Sequence, residues 1–399
     1  MNKKPFFSVV MPTRNRAKLL PFAVQSVLNQ TFDDYEVIVS DNFSSDETPQ
    51  IARDFNDKRL KYFRSEKPLS MGESWEYALS HAVGEYICFL SDDDAYSRIF
   101  LERMSKVISD ESADIVTCKI TPFYAVDDYK YGRKITGKSL IVKPYDRKIS
   151  ALNRKEAVKF LFDKFRVTSE VNKRFEIDIP QLVNTAYRSS VIDRVKSRVP
   201  KIFPILSSDI YSSVLFLNSV DKYCYLNEPL YLHTVWEESA TSGEQSFFDK
   251  YPEERELNFV PLKKLLSTPN YITNIVLRAK SDWGADFQEV PIDWKNYFIS
   301  SFGEIMYLQR NKVDVSKELE EFEEVLSGQD KELQMKIRGE MTKRISPSSY
   351  IKGKLKNTGI GGLLLKAKNR DVRVLNGFDD ITKCAESIDE GFLNKYSTK

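Results

Sequence analysis

The chain has 399 residues, 41% of them hydrophobic, which is enough for two domains or for one large domain with an appendage. Its 60 basic and 58 acidic side chains nearly cancel, so overall charge gives no reason to expect a nucleic-acid or other polyanionic partner. No stretch approaches the roughly 20 apolar residues of a membrane span, no signal segment precedes the first apolar run, and the four cysteines are widely spaced, which predicts a cytoplasmic protein with free thiols.

The first hundred residues alternate strand and helix. Phe6 to Met11 is a continuous apolar run closed by Pro12, and Leu20, Ala23, Val24, Val27 and Leu28 then recur at helical spacing. A second strand, Glu36 to Ser40, ends in the turn-forming Asp41-Asn42-Phe43-Ser44-Ser45-Asp46, ahead of a helix from Pro49 to Phe55. A third, Leu60 to Phe63, leads through Pro68 and Gly72 to a helix from about Glu73 to Val83, stopped by Gly84. Tyr86 to Leu90 then reads as a strand buried on both faces, and Ser91 and three aspartates, Asp92, Asp93 and Asp94, follow it directly. Such alternation predicts a parallel sheet with right-handed crossovers.

Polar residues gather where these strands end: Thr13, Arg14 and Asn15 after the first, Asp41 and Asn42 after the second, the aspartates after the fourth. Ligands of open α/β sheets bind just beyond the carboxyl ends of the strands, so the clustering predicts a crevice. An Asp-rich turn capping the helix that starts near Arg98 is the plainer reading of the triplet. Adjacent acids at a buried strand end stay ionised only beside something cationic, and a divalent metal is the natural candidate. Neither GxGxxG nor GxxxxGK[ST] follows the first strand, so a phosphate must be held otherwise. A metal on Asp93 would bridge a diphosphate, while Asp41 suits the imide or ribose of a nucleoside.

Three blocks, Ser8 to Arg16, Val37 to Asp46 and Gly84 to Asp94, together resemble the family-two glycosyltransferases of GT-A fold, closely over residues 6 to 121 and loosely to about 245. The resemblance implies a Rossmann-like, mixed but mainly parallel α/β sheet flanked by helices, a nucleotide-sugar donor, most often a UDP-sugar, a Mg²⁺ or Mn²⁺ cofactor, and inverting transfer to a glycan or lipid-linked glycan in surface polysaccharide synthesis. Carried over by position, Pro12, Thr13, Arg14 and Asp41 match nucleoside-binding places, Asp92 a place facing the ribose, and Asp93 the metal-binding acid, with Asp94 a further metal ligand. Ser91 stands where the commonest pattern has its first Asp.

The stretch Ile202 to Ser213 matches the segment that carries the family's general base; Ser208 replaces the first acid and Asp209 retains the second. As a plain alternative, Ser207, Ser208 and Asp209 simply cap the helix Ile210 to Leu217. His233, at the end of the strand Asn227 to Leu232, matches a place against the metal or the diphosphate, whereas His81 reads as structural. In the segment where relatives carry an Asn-Gly…Ala-Arg-Asn run, this chain has Ser70 to Trp75; there Gly72 leaves room for backbone approach to a sugar, and Trp75 reads as core.

Residues 121–153 read as an inserted loop or hairpin, polar at Asp127 to Lys134, and Asn153 to Phe165 as a capped helix. The strand–helix alternation stops near residue 250, dividing the chain into a transferase domain, 1–250, and a helical region, 251–399, with helices at Pro261 to Leu266, Trp294 to Leu308 and Ser316 to Leu326. Residues 331–370 are rich in Lys and Arg around the apolar Gly359 to Leu365, which suits either a solvated surface or peripheral docking on an anionic membrane face; the helical region also leaves a homo-oligomer open. Two other functions fit parts of the pattern: a nucleotidyltransferase, for which the glycine-rich first turn is missing, and a non-catalytic sugar- or nucleotide-binding scaffold, for which Ser91 and Ser208 speak.

Overall fold

The computed structural model describes residues 3–130, 133–164, 180–204, 208–235, 257–266, 268–288, 292–345 and 372–397. The chain forms two compact units: Met1–Ala157 with Glu176–Glu237 and Arg370–Lys399, and Val158–Phe175 with Glu238–Asn369.

In the first unit, β1 (Phe7–Thr13), α1 (Leu20–Leu28), β2 (Tyr35–Asp41), α2 (Thr48–Asp54), β3 (Leu60–Arg64), α3 (Met71–Ser80) and β4 (Tyr86–Phe89) alternate as the apolar spacing predicts. Then come β5 (Ala95–Tyr96), α4 (Phe100–Glu111), β6 (Ile115–Tyr124), the hairpin β7 (Asp128–Lys130) and β8 (Arg133–Ile135), β9 (Ser139–Val142), β10 (Ile149–Asn153), α5 (Arg154–Lys164), β11 (Thr185–Arg188), α6 (Ser189–Lys196), α7 (Ser208–Leu217) and β12 (Lys222–Val235). The main sheet runs β10-β12-β6-β11-β4-β1-β2-β3. Strands β1 to β4, β6 and β12 share one direction and β11 is reversed, so the sheet is mainly parallel, as anticipated.

Both faces of its centre are covered. Val9 and Val10, on opposite faces of β1, are both fully buried, as are Val37, Ile38, Cys88 and Phe89. Each such side chain contributes about 1.5–3 kcal/mol by leaving water, and a strand read twice in this way cannot slip by a residue without breaking either face. Pairing brings Thr13 opposite Asp41, and Asp41 opposite Arg64, so three strand ends lie in one row. At the opposite end of the strands, Gly84 turns where the Ser8 hydroxyl accepts from its N–H at 2.8 Å, and a Cβ there would stand 2.5 Å from the Ser8 nitrogen.

Helix α3 starts two residues before Glu73 because Ser70 caps it: its hydroxyl accepts from Glu73 N, and the Glu73 carboxylate accepts from Ser70 N at 3.0 Å. Strand β12 is longer than Asn227 to Leu232; its pairing with β6 shifts register on either side of Pro229, which has no N–H to give the ladder, and then resumes to Val235. The end of the chain adds β13 (Arg373–Leu375), paired with β9, and α12 (Ile381–Ser387) and α13 (Glu390–Tyr396). Ile381, Cys384, Ile388 and Leu393 of this tail join the first unit's core.

The second unit holds α8 (Thr268–Trp283), α9 (Trp294–Arg310), α10 (Ser316–Ser327) and α11 (Lys331–Ile345). Pro261 to Leu266 is not a helix: the N–H groups of Lys263 and Lys264 donate to the buried Glu321 carboxylate at 3.0 and 2.8 Å, so side chains rather than helical carbonyls take these donors. On α11, Lys336 pairs with Glu332 and Arg338 with Glu323, which neutralises part of the basic stretch. Its remainder from residue 346 to 370, including Gly359 to Leu365, lies outside the described residues. Among the described residues no helix is long and apolar enough to cross a membrane.

Candidate active site

The carboxyl ends of β1, β2 and β4 open into a cleft of about 390 Å³, a size that suits a small-molecule ligand. Pro12, Thr13, Arg14, Arg16 and Asn42 line it on one side, Ser91, Asp92 and Asp93 at its base, and Leu69, Met71, Ser74 and Trp75 along its apolar wall.

Two loops from neighbouring strands are strapped together to form the polar side. Asn15 adopts a left-handed φ of 53°, which Asn tolerates better than most residues, and its side-chain oxygen accepts from Ser45 N at 2.8 Å. In return Ser44 Oγ accepts from Asn15 N, Thr48 Oγ1 from Arg16 N, and Asp46 from Ala17 N. The Asn42 amide donates to Leu69 O at 2.9 Å and accepts from Leu69 N at 2.7 Å, which fixes the approach to α3. Backbone at the cleft mouth is thus held, while the guanidinium of Arg16 remains about half exposed, its Nε 3.7 Å from Asp92 Oδ1.

The acids differ in their surroundings. Burial pushes the Asp92 carboxyl up to about 7; the neighbouring Asp93 charge adds to that, and Thr13 and Arg16 pull the other way. Thr13 Oγ1 faces this carboxyl, buried and without a hydrogen bond of normal geometry. Asp93 is also raised, first by burial and then by Asp94, and it accepts from Ser91 Oγ at 2.6 Å. Asp94 is different: 4% exposed, it accepts from the Tyr231 hydroxyl, from Thr234 N at 2.7 Å, and stands 3.3 Å from His233 Nδ1. Its oxygens tie β12 to the end of β4 and are already occupied by protein donors, unlike those of a free metal ligand. His233 is half exposed; burial lowers its pKa, but the hydrogen bond and charge of Asp94 outweigh this and raise it. With Nδ1 engaged by Asp94, the ring has Nε2 left to offer, to a phosphate when it is protonated and to a metal when it is neutral.

Asp41 does not line the cleft. It is fully buried beneath Asn42, accepting from Ser44 N at 2.8 Å and from the Tyr62 hydroxyl at 2.7 Å. Burial, and then Asp41, push the Tyr62 phenol up to about 12. The turn that Asp41 braces puts Phe43 at φ 55° with the Arg64 guanidinium 5.2 Å over its ring. Asp209 stands in the first turn of α7, outside the cleft lining; burial raises its carboxyl, and the backbone N–H groups at the helix start pull it down. Ser207 lies outside the described residues.

Trp75 is not simply core. It lines the cleft while its indole packs edge-on against Phe89, 5.7 Å away, and near Phe203 at 6.2 Å. Gly72 faces protein rather than an open subsite, since a Cβ there would stand 2.0 Å from the Phe203 carbonyl oxygen. His81 is structural as read, stacked on Phe63 at 3.7 Å.

A divalent cation fits the donor set at Asp92 and Asp93. Both are hard oxygen ligands, and the half-exposed Arg16 guanidinium, 3.7 Å from Asp92, does not offset the burial that raises both carboxyls; Mg²⁺ or Mn²⁺ is commonly held by one or two carboxylates completed by phosphate oxygens and water. Among the described residues no three His, Cys, Asp or Glu side chains converge on one point, so phosphate oxygens would have to complete the shell.

Residues 8–173 match the family model described as glycosyl transferase family 2. Over that stretch, the chain is similar to the family-2 glycosyltransferases. Among curated relatives, the chain is 41% identical over 93 residues to the GalNAc(5)-diNAcBac-PP-undecaprenol beta-1,3-glucosyltransferase of Campylobacter jejuni, covering 23% of this chain and 30% of that one. It is 34% identical over 89 residues to the UDP-Glc:alpha-D-GlcNAc-diphosphoundecaprenol beta-1,3-glucosyltransferase WfgD of Escherichia coli, covering 22% and 35%. The match therefore spans about a third of each relative's length. Among solved structures, S. aureus TarS 1-349 in complex with UDP-GlcNAc aligns over 81% of this chain and 90% of that chain at 18% identity, TM-score 0.49. The cleft, all of whose lining residues fall between Pro12 and Asp93, lies wholly within the residues that the family-2 model matches.

Proposed function

We propose that this protein is an inverting glycosyltransferase that uses a divalent cation to move a sugar from a nucleotide-sugar, a UDP-sugar first among them, to a hydroxyl of a glycan or lipid-linked glycan. The single observation that carries the reading is the pair Asp92, buried, and Asp93, partly buried, lining a cleft inside the stretch that matches the family-2 model. Asp93, with Asp92 beside it, would hold Mg²⁺ or Mn²⁺, which when bound neutralises the leaving diphosphate as a Lewis acid. Pro12, Thr13, Arg14 and Asn42 receive the nucleoside, with Asp41 acting through the turn it braces. His233, its pKa raised by Asp94, would meet the diphosphate, although it is not among the residues that line the cleft. Asp209 takes the acceptor proton, and its raised pKa makes it a stronger base than an exposed carboxylate. The names of the two relatives, both acting on undecaprenol-diphosphate-linked acceptors, support a lipid-linked acceptor; surface-polysaccharide synthesis is the setting the reading gives it. A place at the inner membrane face, through the basic stretch, belongs to the same reading.

The test is sugar transfer from a panel of UDP-sugars to undecaprenyl-diphosphate-linked acceptors, with Asp209→Asn as control. Transfer from one donor, with kcat reduced at least about a hundredfold in Asp209→Asn and donor affinity kept, is the expected result. Nucleotide binding with no transfer to any acceptor would favour a scaffold.

A further inference from the structure

Helix α3 has two working faces. Met71, Ser74 and Trp75 line the donor cleft. One residue on from Trp75, Glu76 reaches the backbone of the segment leading to α7: its Oε1 accepts from Ile202 N at 2.6 Å and from Phe203 N at 3.0 Å. Two N–H groups on one carboxylate oxygen are charge-assisted bonds, stronger than neutral ones. Gly72, one turn earlier, admits the Phe203 carbonyl so closely that no side chain fits between them. The Phe203 ring then packs 5.8 Å from Phe89, on the strand that ends in the aspartates, and 6.2 Å from Trp75. The segment is held by its N–H groups and its ring to the helix and strand that shape the cleft, with its carbonyl close against Gly72, five residues before α7 begins.

We infer that Glu76 is a positioning residue: its carboxylate clamps the Ile202–Phe203 backbone to α3 and so sets where Asp209, at the start of α7, stands relative to the donor cleft. The inference rests on Asp209 being the base. Glu76 itself touches no reacting group. Without its oxygens two backbone N–H groups lose their acceptor, the segment loosens, and Asp209 gains water, while the cleft keeps every lining residue.

The test compares Glu76→Ala and Glu76→Gln with the wild-type chain, Gln retaining an acceptor oxygen. Glu76→Met, which keeps the stem and removes only the acceptors, replaces Ala if that variant does not fold. Three readouts apply: UDP affinity by calorimetry, amide exchange at Ile202 and Phe203, and the Asp209 carboxyl titration by NMR, with turnover of whichever UDP-sugar the wild type transfers as a fourth. Glu76→Ala is expected to keep UDP affinity within about twofold, exchange both amides faster, bring the Asp209 pKa down toward the ordinary carboxylate range and lower kcat about tenfold to a hundredfold; Glu76→Gln recovers most of it. Unchanged exchange and an unchanged Asp209 titration in Glu76→Ala or Glu76→Met would overturn the inference, as would wild-type kcat in an enzyme that Asp209→Asn inactivates. Full activity in Asp209→Asn would instead sink the assignment of the base, and is read separately.

Discussion

Asp92, Asp93 and Asp94 are consecutive, yet each is held differently, and the differences are measurable. Asp92 has its folded pKa raised to about 7, so its proton is favoured in the folded state. Such a group adds stability that is full below the unfolded pKa and is lost as pH rises through the folded value, leaving an ionised, desolvated carboxylate at alkaline pH. Asp92→Asn is therefore expected to raise the melting temperature of the metal-free protein by several degrees at pH 8 and little at pH 5; an equal gain at both would show that burial is not straining the charge. The pKa of His233 is raised as well, but for another reason: Asp94 favours its protonated ring. In Asp94→Asn the imidazole pKa, followed by NMR, is expected to fall below its wild-type value, and β12 to lose part of its anchorage at Thr234. The sequence shows the three acids and the strand before them, because apolar runs and polar strand ends are local signals. It does not show that Tyr231 and Thr234, some 140 positions away, would take up Asp94, since no local pattern encodes a partner across the sheet.

At the scale of elements, the first four strands and three helices follow from periodicity, and their ends differ by a residue or two where a cap decides, as Ser70 does for α3. Periodicity fails where backbone donors are taken by side chains, as at Lys263 and Lys264, and where a proline shifts register within a longer strand, as in β12. Trp75 reads as core because it is aromatic and lies on a helix, but a helix beside a cleft gives the same spacing to a wall residue. Arg16, Asn42 and Leu69 likewise carry no signal beyond their place at strand and loop ends. The tight contacts at glycine make a testable claim here. Gly84→Ala sets a methyl against the backbone of Ser8, and is expected to destabilise the first unit by about 1–3 kcal/mol in urea unfolding, whereas Gly339→Ala, with open space around it, is expected to be neutral or mildly stabilising.

For the whole molecule, the return of the chain's end to the first unit matters most. Glu228, fully buried on β12, pairs with Arg103 at 2.6 Å and Arg147 at 3.0 Å, and Arg147 also reaches Glu390 and Asn394 of the tail. Removing Glu228 leaves two largely buried guanidiniums to share Glu390 alone, so Glu228→Gln is expected to cost roughly 3 kcal/mol and to make the tail susceptible to proteolysis before the sheet; intact resistance would mean the tail is held by its apolar contacts alone. The basic residues of 331–370 stood out in the sequence, but composition does not reveal pairing, and on α11 two of them already have acidic partners.

On the proposed function, the cleft binds a nucleoside diphosphate together with a divalent cation on Asp93. Calorimetric titration with UDP, GDP and CDP, first with Mn²⁺ and then with EDTA, on the wild-type chain and on Asp93→Ala, tests it most directly. One nucleotide, UDP, is expected to bind with Mn²⁺, and to lose at least about tenfold in affinity with EDTA and in Asp93→Ala. Binding that is indifferent to both, or no binding of any of the three, would contradict the claim.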